Sequence, residues 1–392
     1  MSVEIPRNMM ESMVRHRRAL HRHPEVGIDL PETHDYLLAE LDRLGFTPEH
    51  HPSAGISVAI AGDYAEATPL VLRADMDALP VTEDTDIDFR SENPGSMHAC
   101  GHDLHMATLL GVAEYFSHHT PARPLILVFQ PGEESDRGAV PTLQHANLQL
   151  DRAETFAVHV NAVLPAGSVH YSLGAFMAYG DWFELSFEGP GGHASAPERV
   201  GSPIRAAAAY VEALVKLAQS LSTPEARVVA TVTEFLSGNT VNVIPTAARL
   251  RGTIRTVTGE TRSLLHTRME EVARKVAQRH RVRFDLTIHE GYPAVVNDRD
   301  FVESALKVFR RADIDSLEEM DHPSMVIEDY SYFLHRWPGA MMYVGAAVGS
   351  SPEFNHSSRA VFDEDAMAVA ARMFLALASQ SGSNELRSGT NQ

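Results

Sequence analysis

The chain has 392 residues, 44% of them hydrophobic and 22% charged, with a formal net charge of −19. That length exceeds what one compact core fills and predicts two domains, while the acidity sets the chain against phosphate-rich partners, so neither nucleic acid nor an anionic membrane surface is expected. A single cysteine, Cys100, excludes an intrachain disulfide, no run approaches the ~20 apolar residues that span a bilayer, and the N-terminal segment has no signal-like apolar run, so a cytoplasmic protein is expected.

In chain order, Met9, Met10, Met13, Val14 and Leu20 at helical spacing predict a helix over residues 6–21. Pro24, Gly27 and Pro31 break it, and a second helix follows over residues 32–44, closed by Gly45. Residues 56–61 and 69–74 read as strands, the second as the near-continuous apolar run PLVLRA. A helix is predicted over residues 108–118, then the strand PLILVFQ at 124–130 and another at 155–160. Continuous apolar strands separated by helices predict a mostly parallel α/β sheet covered on both faces.

After about Gly174 the pattern changes. GDWFELSFEG at 180–189 alternates like an edge or half-solvated strand, and residues 202–221 form a long Ala-rich helix. Alternating strands at 226–238 and 247–258, a second long helix at 259–281 and a closing strand at 281–291 complete a small α+β domain with an open, largely antiparallel sheet. The chain then returns to the first domain through a buried strand at 338–346 and a helix at 363–380, before a polar tail at 381–392 that is expected to fray.

The chemistry centres on SMHACGHDLHMA, residues 96–107. Cys100 and His102 are two residues apart, so in an extended segment their side chains point the same way. A thiolate and an imidazole are good ligands for a divalent transition metal. Alone, the pair reads equally well as a small buried hydrophobe beside a surface histidine. Three further segments weigh against that. PLILVFQPGEES sets Glu133 and Glu134 directly after a core strand, where two unneutralised charges are costly unless cations pair with them. TFAVHV sets His159 at the end of another strand, and the loop after a third carries His356. Asp75 and Asp77 follow the strand at 69–74, available as ligands or as carboxylates that hold a ligating imidazole in one tautomer; a salt bridge to Arg73 is the plainer alternative. Open α/β sheets bind ligands at the carboxyl ends of their strands, so these groups are expected to meet at one edge.

RRALHRHPE, RADMDALP, MHACGHDLH, FQPGEE, GPGGHASAP and NVIP, in this order, resemble the M20 metallopeptidase family. More narrowly they resemble its amidohydrolase branch of hippurate hydrolases, N-acyl-amino-acid amidohydrolases and indole-acetyl-amino-acid hydrolases. The resemblance implies a zinc-peptidase-like α/β catalytic domain, residues 1–174 and 291–392, interrupted by a smaller α+β dimerisation and lid domain, residues 175–290. It implies two divalent metal ions, Zn²⁺ or Mn²⁺ with Co²⁺ or Ni²⁺ as alternatives, held by Cys100, His102, Glu134, His159 and His356, with Cys100 bridging. Asp77 resembles the aspartate that supports a ligating imidazole. Asp75 stands where the wider family has a histidine and is left out of the ligand set. Glu133 resembles the general base that takes a proton from the attacking water and returns it to the leaving amine. His193 resembles the histidine that reaches across a dimer interface to the oxyanion, and Asn242 a substrate-contacting residue. The expected reaction is hydrolysis of an N-acyl amino acid, a small-molecule substrate, by a homodimer. A dipeptidase or carboxypeptidase with the same centre, or an inactive metal-binding regulatory homologue, is the alternative.

Overall fold

In the computed structural model, residues 4–134, 137–350 and 352–380 are described. They form two compact units: one runs to Gly174, takes up again at Val296–Met320 and continues from Asp329, and the other comprises Ala175–Val295 and Asp321–Glu328. The second unit thus runs past residue 290 to Val295 and claims a strap from the returning chain. The strap is tied by backbone bonds, Ser324 N–H to the Phe176 carbonyl at 2.9 Å and Ala178 N–H to the Val326 carbonyl at 3.0 Å. The polar tail at 381–392 lies outside the described residues.

The first unit opens with helices α1 (Arg7–Arg22) and α2 (Pro31–Arg43). Strands β1 (Glu49–His51), β2 (Gly55–Ile60) and β3 (Leu70–Asp75) follow, then α3 (His102–Phe116), β4 (Leu125–Gln130), β5 (Glu154–Asn161) and β6 (Val169–Tyr171). The second unit contributes β7 (Tyr179–Glu188), α4 (Pro203–Leu221), β8 (Val228–Ser237), β9 (Ala247–Thr256), α5 (Gly259–His280) and β10 (Arg283–Tyr292). The chain closes with α6 (Arg299–Arg311), β11 (Leu317–Glu319), β12 (Gly339–Gly345) and α7 (Ala366–Ala378).

Among the described residues the first unit carries an eight-stranded sheet in the order β1-β2-β4-β3-β5-β12-β6-β11. Its centre is parallel, β4 with β3, β3 with β5 and β5 with β12. Every residue of β3, β4 and β12 is buried, as strands covered on both faces require. Helix α3 is buried around nearly its whole girth and α7 likewise, so neither shows the apolar stripe of a surface helix. The amphipathic α6, which the sequence reading passed over, buries Phe301, Val302, Leu306 and Phe309 and is capped by Asp298, whose carboxylate accepts the Phe301 N–H at 2.8 Å. No helix among the described residues is long and apolar enough to cross a membrane.

The second unit is a four-stranded antiparallel sheet in the order β8-β9-β7-β10. Phe183, Leu185 and Phe187 of β7 pack with Tyr210 and Leu214 of α4 and Leu265 and Met269 of α5. The strand GDWFELSFEG, expected as an edge or a half-solvated strand, is β7 and is the second of these: it bonds β9 on one side and β10 on the other, with alternate residues exposed. Its alternation reports helices on one face of the sheet and solvent on the other, which an interior strand of an antiparallel sheet shows equally well.

Candidate metal centre

Helix α3 begins at His102, six residues before the predicted start at 108. Gly101 takes a left-handed turn with φ +88°, and a Cβ there would stand 2.3 Å from Val160 Cγ2. Cys100 and His102 therefore flank a tight turn into a helix rather than sitting in an extended segment. Their convergence comes from that turn and from the hydrogen bond His102 Nδ1 donates to the Asp77 carbonyl at 2.7 Å. This bond leaves Nε2 of His102 as the free nitrogen.

Asp77 also shapes the turn after β4. Its two carboxylate oxygens accept the backbone N–H groups of Glu133 at 2.9 Å and Glu134 at 3.0 Å. The aspartate expected to hold an imidazole thus does so through its backbone, while its side chain sets the acidic pair in place. His159, near the carboxyl end of β5, donates Nδ1–H to the Val160 carbonyl at 2.8 Å and turns Nε2 to within 3.4 Å of Cys100 Sγ. His356 adopts φ +71° and brings Nε2 to 3.3 Å from both Cys100 Sγ and Glu134 Oε1.

The donor atoms fall into overlapping groups, each within 4.8 Å: Cys100, His102 and His159; Cys100, Glu134 and His356; and His102, Glu133 and Glu134. Cys100 is common to the first two. Asp75, His102 and His105 also lie within that distance, but His105 has both ring nitrogens engaged, Nδ1 with Asp75 Oδ1 at 2.5 Å and Nε2 with the Val160 N–H at 2.9 Å. Asp75 meets Arg73 Nη1 at 2.6 Å, so the salt bridge anticipated for it is present.

The electrostatics fit a cation. His102 Nε2 is buried without a hydrogen-bond partner. Burial, then the carboxylates of Glu134, Glu133 and Asp75, push the Cys100 thiol well above its ordinary value, so a thiolate here needs positive charge beside it. Burial opposes a charged His102, yet Asp75, Asp77 and Glu134 raise it to about 10. Burial and then His105 lower His159 to about 3, leaving the neutral imidazole that metal ligation requires. A pocket that pulls a proton onto one imidazole for want of positive charge, and keeps another imidazole neutral, is chemically matched to divalent ions.

Residues 71–380 match the sequence profile of peptidase family M20/M25/M40. The chain belongs to this family.

Among M20 relatives, the chain is 33% identical over 374 residues to the N-acetyldiaminopimelate deacetylase of Bacillus velezensis, covering 93% of this chain and 97% of that protein. It is 32% identical over 367 residues to the enzyme of the same name from Bacillus subtilis, covering 92% and 96%. A solved putative aminohydrolase from methicillin-resistant Staphylococcus aureus superposes with a TM-score of 0.86 at 30% identity, covering 94% of this chain and 96% of that one. A Bacillus subtilis protein described as a dinuclear metal binding peptidase from the M20 family gives 0.82 at 27% identity, covering 95% and 98%. The expected fold class, a mostly parallel α/β domain with a smaller second unit, and the expected enzyme class, an amide hydrolase, both hold for this M20 chain.

The other two predicted site residues of the M20 chain lie together in the second unit. His193 and Val243 pair in a two-stranded ribbon, and the Ala194 N–H donates to the Asn242 carbonyl at 3.0 Å. His193 is exposed, with Nδ1 2.7 Å from Ser195 Oγ, while Asn242 Oδ1 accepts from Thr240 Oγ1 at 3.1 Å. Two residues the sequence reading missed are His105 and Asn355. His105 stands one helical turn after His102, where a second inward histidine was legible from the i, i+3 spacing. Asn355 gave no signal beyond its place beside His356.

Proposed function

We propose that the chain hydrolyses the amide bond of an N-acyl amino acid, releasing a carboxylate and a free amino acid. Two divalent cations would be held by Cys100, His102, Glu134, His159 and His356. The observation that carries the reading is the sharing of Cys100 between two donor groups in one acid-rich cluster, one completed by His102 and His159 and the other by Glu134 and His356. A soft thiolate among imidazoles favours Zn²⁺, with Mn²⁺ admitted by the carboxylate and imidazoles.

Such a pair of cations would supply Lewis acidity for the amide carbonyl and for the attacking water. The chain's own part is proton traffic and orientation. Glu133, set by the Asp77 clamp on its backbone, takes the proton of the water that attacks the carbonyl carbon. It delivers that proton to the amine nitrogen as the carbon–nitrogen bond breaks. The relatives' printed activity points to a short acyl group, acetyl, on a diamino dicarboxylic acid. The test is a panel of N-acetyl, N-benzoyl and N-indoleacetyl amino acids, N-acetyldiaminopimelate and dipeptides, assayed with added Zn²⁺, Mn²⁺ or Co²⁺. Release of acetate and amine from N-acetyl substrates is expected. Turnover confined to dipeptides would establish the peptidase alternative, and no turnover with any metal would leave a binding protein.

The same reading includes a homodimer. In the second unit, Phe235 and Leu236 of the edge strand β8 are exposed together with Val241, Val243 and Ile204, an apolar edge suited to a second copy of itself. His193 would act on the oxyanion of the partner's substrate.

A further inference from the structure

The backbone of Val160 is gripped on both sides, at its N–H in the peptide shared with His159 and at its carbonyl in the peptide shared with Asn161. Its N–H donates to His105 Nε2 at 2.9 Å, and its carbonyl accepts His159 Nδ1 at 2.8 Å and Asn355 Nδ2 at 3.1 Å. Accepting at Nε2 leaves the His105 proton on Nδ1, where it is donated to Asp75 Oδ1. The other oxygen of Asp75 takes Arg73 Nη1, and Arg73 Nη2 reaches Asp329 at 3.0 Å. Asp75 and His105 are both buried. On the far side Asn355 also donates to the Cys100 carbonyl at 3.2 Å and accepts the Ala162 N–H at 2.9 Å. One amide next to His356 therefore ties together the segments that carry Cys100, His159 and His356.

His159 depends on this backbone for its tautomer. With Nδ1–H held by the Val160 carbonyl, Nε2 is the lone-pair nitrogen turned toward Cys100. If the Val160 backbone turns between its two held groups, that carbonyl leaves and the ring is free to turn or to exchange its proton. We propose that the Asp75–His105 pair and Asn355 are positioning residues that clamp the Val160 backbone, one at its N–H and one at its carbonyl, and thereby fix the tautomer and direction of His159 at the metal centre. Asp75, held by Arg73 through its other oxygen, serves here as the acceptor that orients His105. The inference rests on the metal-centre reading above.

The test is metal binding by the full-length chain, with Co²⁺ as the probe. Stepwise titration against a chromogenic chelator gives the affinity of each ion, and the visible absorption of Co²⁺ reports the geometry of its ligands. His105→Gln presents an amide oxygen where Nε2 accepts; His105→Leu presents nothing; Asn355→Ala removes the second grip from a partly exposed position. His105→Gln should stay within about threefold of wild type, while His105→Leu and Asn355→Ala lose about 10- to 100-fold for one ion of the pair, with an altered spectrum for that ion and the other ion retained. A merely structural role would lower the melting temperature of the metal-free protein without separating the two ions, and without separating His105→Gln from His105→Leu. Should His105→Leu fail to fold, Asn355→Ala decides. Wild-type affinity for both ions and a wild-type spectrum in the folded variants would overturn the proposal. Wild type that takes up no ion would instead overturn the metal-centre reading.

Discussion

At the scale of single residues, Glu133 and Cys100 separate chemistry from ligation. Glu133→Gln removes a base and, on the proposed assignment, no ligand, so turnover should fall about 10²- to 10⁴-fold while metal content by elemental analysis stays at the wild-type level. Residual turnover near wild type would remove Glu133 from that role. Cys100→Ser takes a shared donor from both groups, so metal and activity should go together. Full activity in that variant would mean the centre is assembled otherwise. These residues were legible because each stands beside a feature sequence shows directly, a core strand end or a Cys-x-His spacing. The clamping contacts of His105 and Asn355 were not, because their partners are the backbone of Val160 and the side chain of Asp75. A hydrogen bond to a peptide 55 residues away along the chain leaves no mark on local pattern.

At the scale of elements, the turn into α3 does work that hydrophobic periodicity misses. The helix was expected six residues late because its first turn is polar in sequence yet wholly buried, with His102, Asp103 and His105 inside. Asp103 accepts from His21 Nδ1 at 2.9 Å and Arg17 Nε at 3.2 Å of α1, so α1 docks on α3 through buried charge. Burial disfavours a charged His21, but Asp103 and Glu83 outweigh it, with Arg17 opposing, and the imidazole is raised to about 9; His98 faces it as well. A raised folded-state value means this stabilisation is fully present below about 6.5 and is lost as pH climbs through about 9. Denaturant unfolding between pH 6 and 9 should show the loss, at most about 3 kcal/mol, and His21→Gln should flatten the curve. A His21→Gln profile as steep as wild type would show that another group titrates there. Gly101→Ala should also be damaging, since it combines a left-handed φ with contact against Val160. Destabilisation of about 1–2 kcal/mol from the backbone alone is expected, with loss of metal; a melting temperature and metal content equal to wild type would contradict it.

At the scale of the molecule, the alternation of sheet and helix signals gave the central strands β2, β3, β4, β5 and β12 and the main elements of the small antiparallel unit, and missed the short strands β1, β6 and β11 and helix α6. What it left open was adjacency. Period-2 patterning says which face of a strand is covered, not which strands flank it, so β7 read equally as an edge or as a half-solvated interior strand, and β9 and β10 bond both its sides. The strap at 321–328 was invisible for a related reason: its ties to Phe176 and Ala178 are backbone to backbone. The dimer proposal accordingly moves to the edge strand β8. Mixing inactive Glu133→Gln and His193→Ala chains tests it, once native mass spectrometry of tagged chains has shown subunit exchange. Mixed dimers should regain one working site, built from the intact Glu133 of one chain and the intact His193 of the other. Exchange without regained activity would end the trans role of His193, and a monomer at working concentration would end the dimer.

The donors are unequally sheltered. Cys100, His102 and His159 are buried, whereas the side chain of His356 is 54% exposed. Such a centre has a threshold and an inner room. On the proposed assignment, an ion nearer His356 would exchange one ligand for solvent without the fold opening, while an ion nearer His159 would be held by buried donors alone. Stripping by a chelator should then run in two phases, fast and slow. Bulk added at the neighbouring exposed residue, as in Phe354→Trp, should slow the first phase and leave the second nearly untouched; a single phase would mean the two ions share one exit.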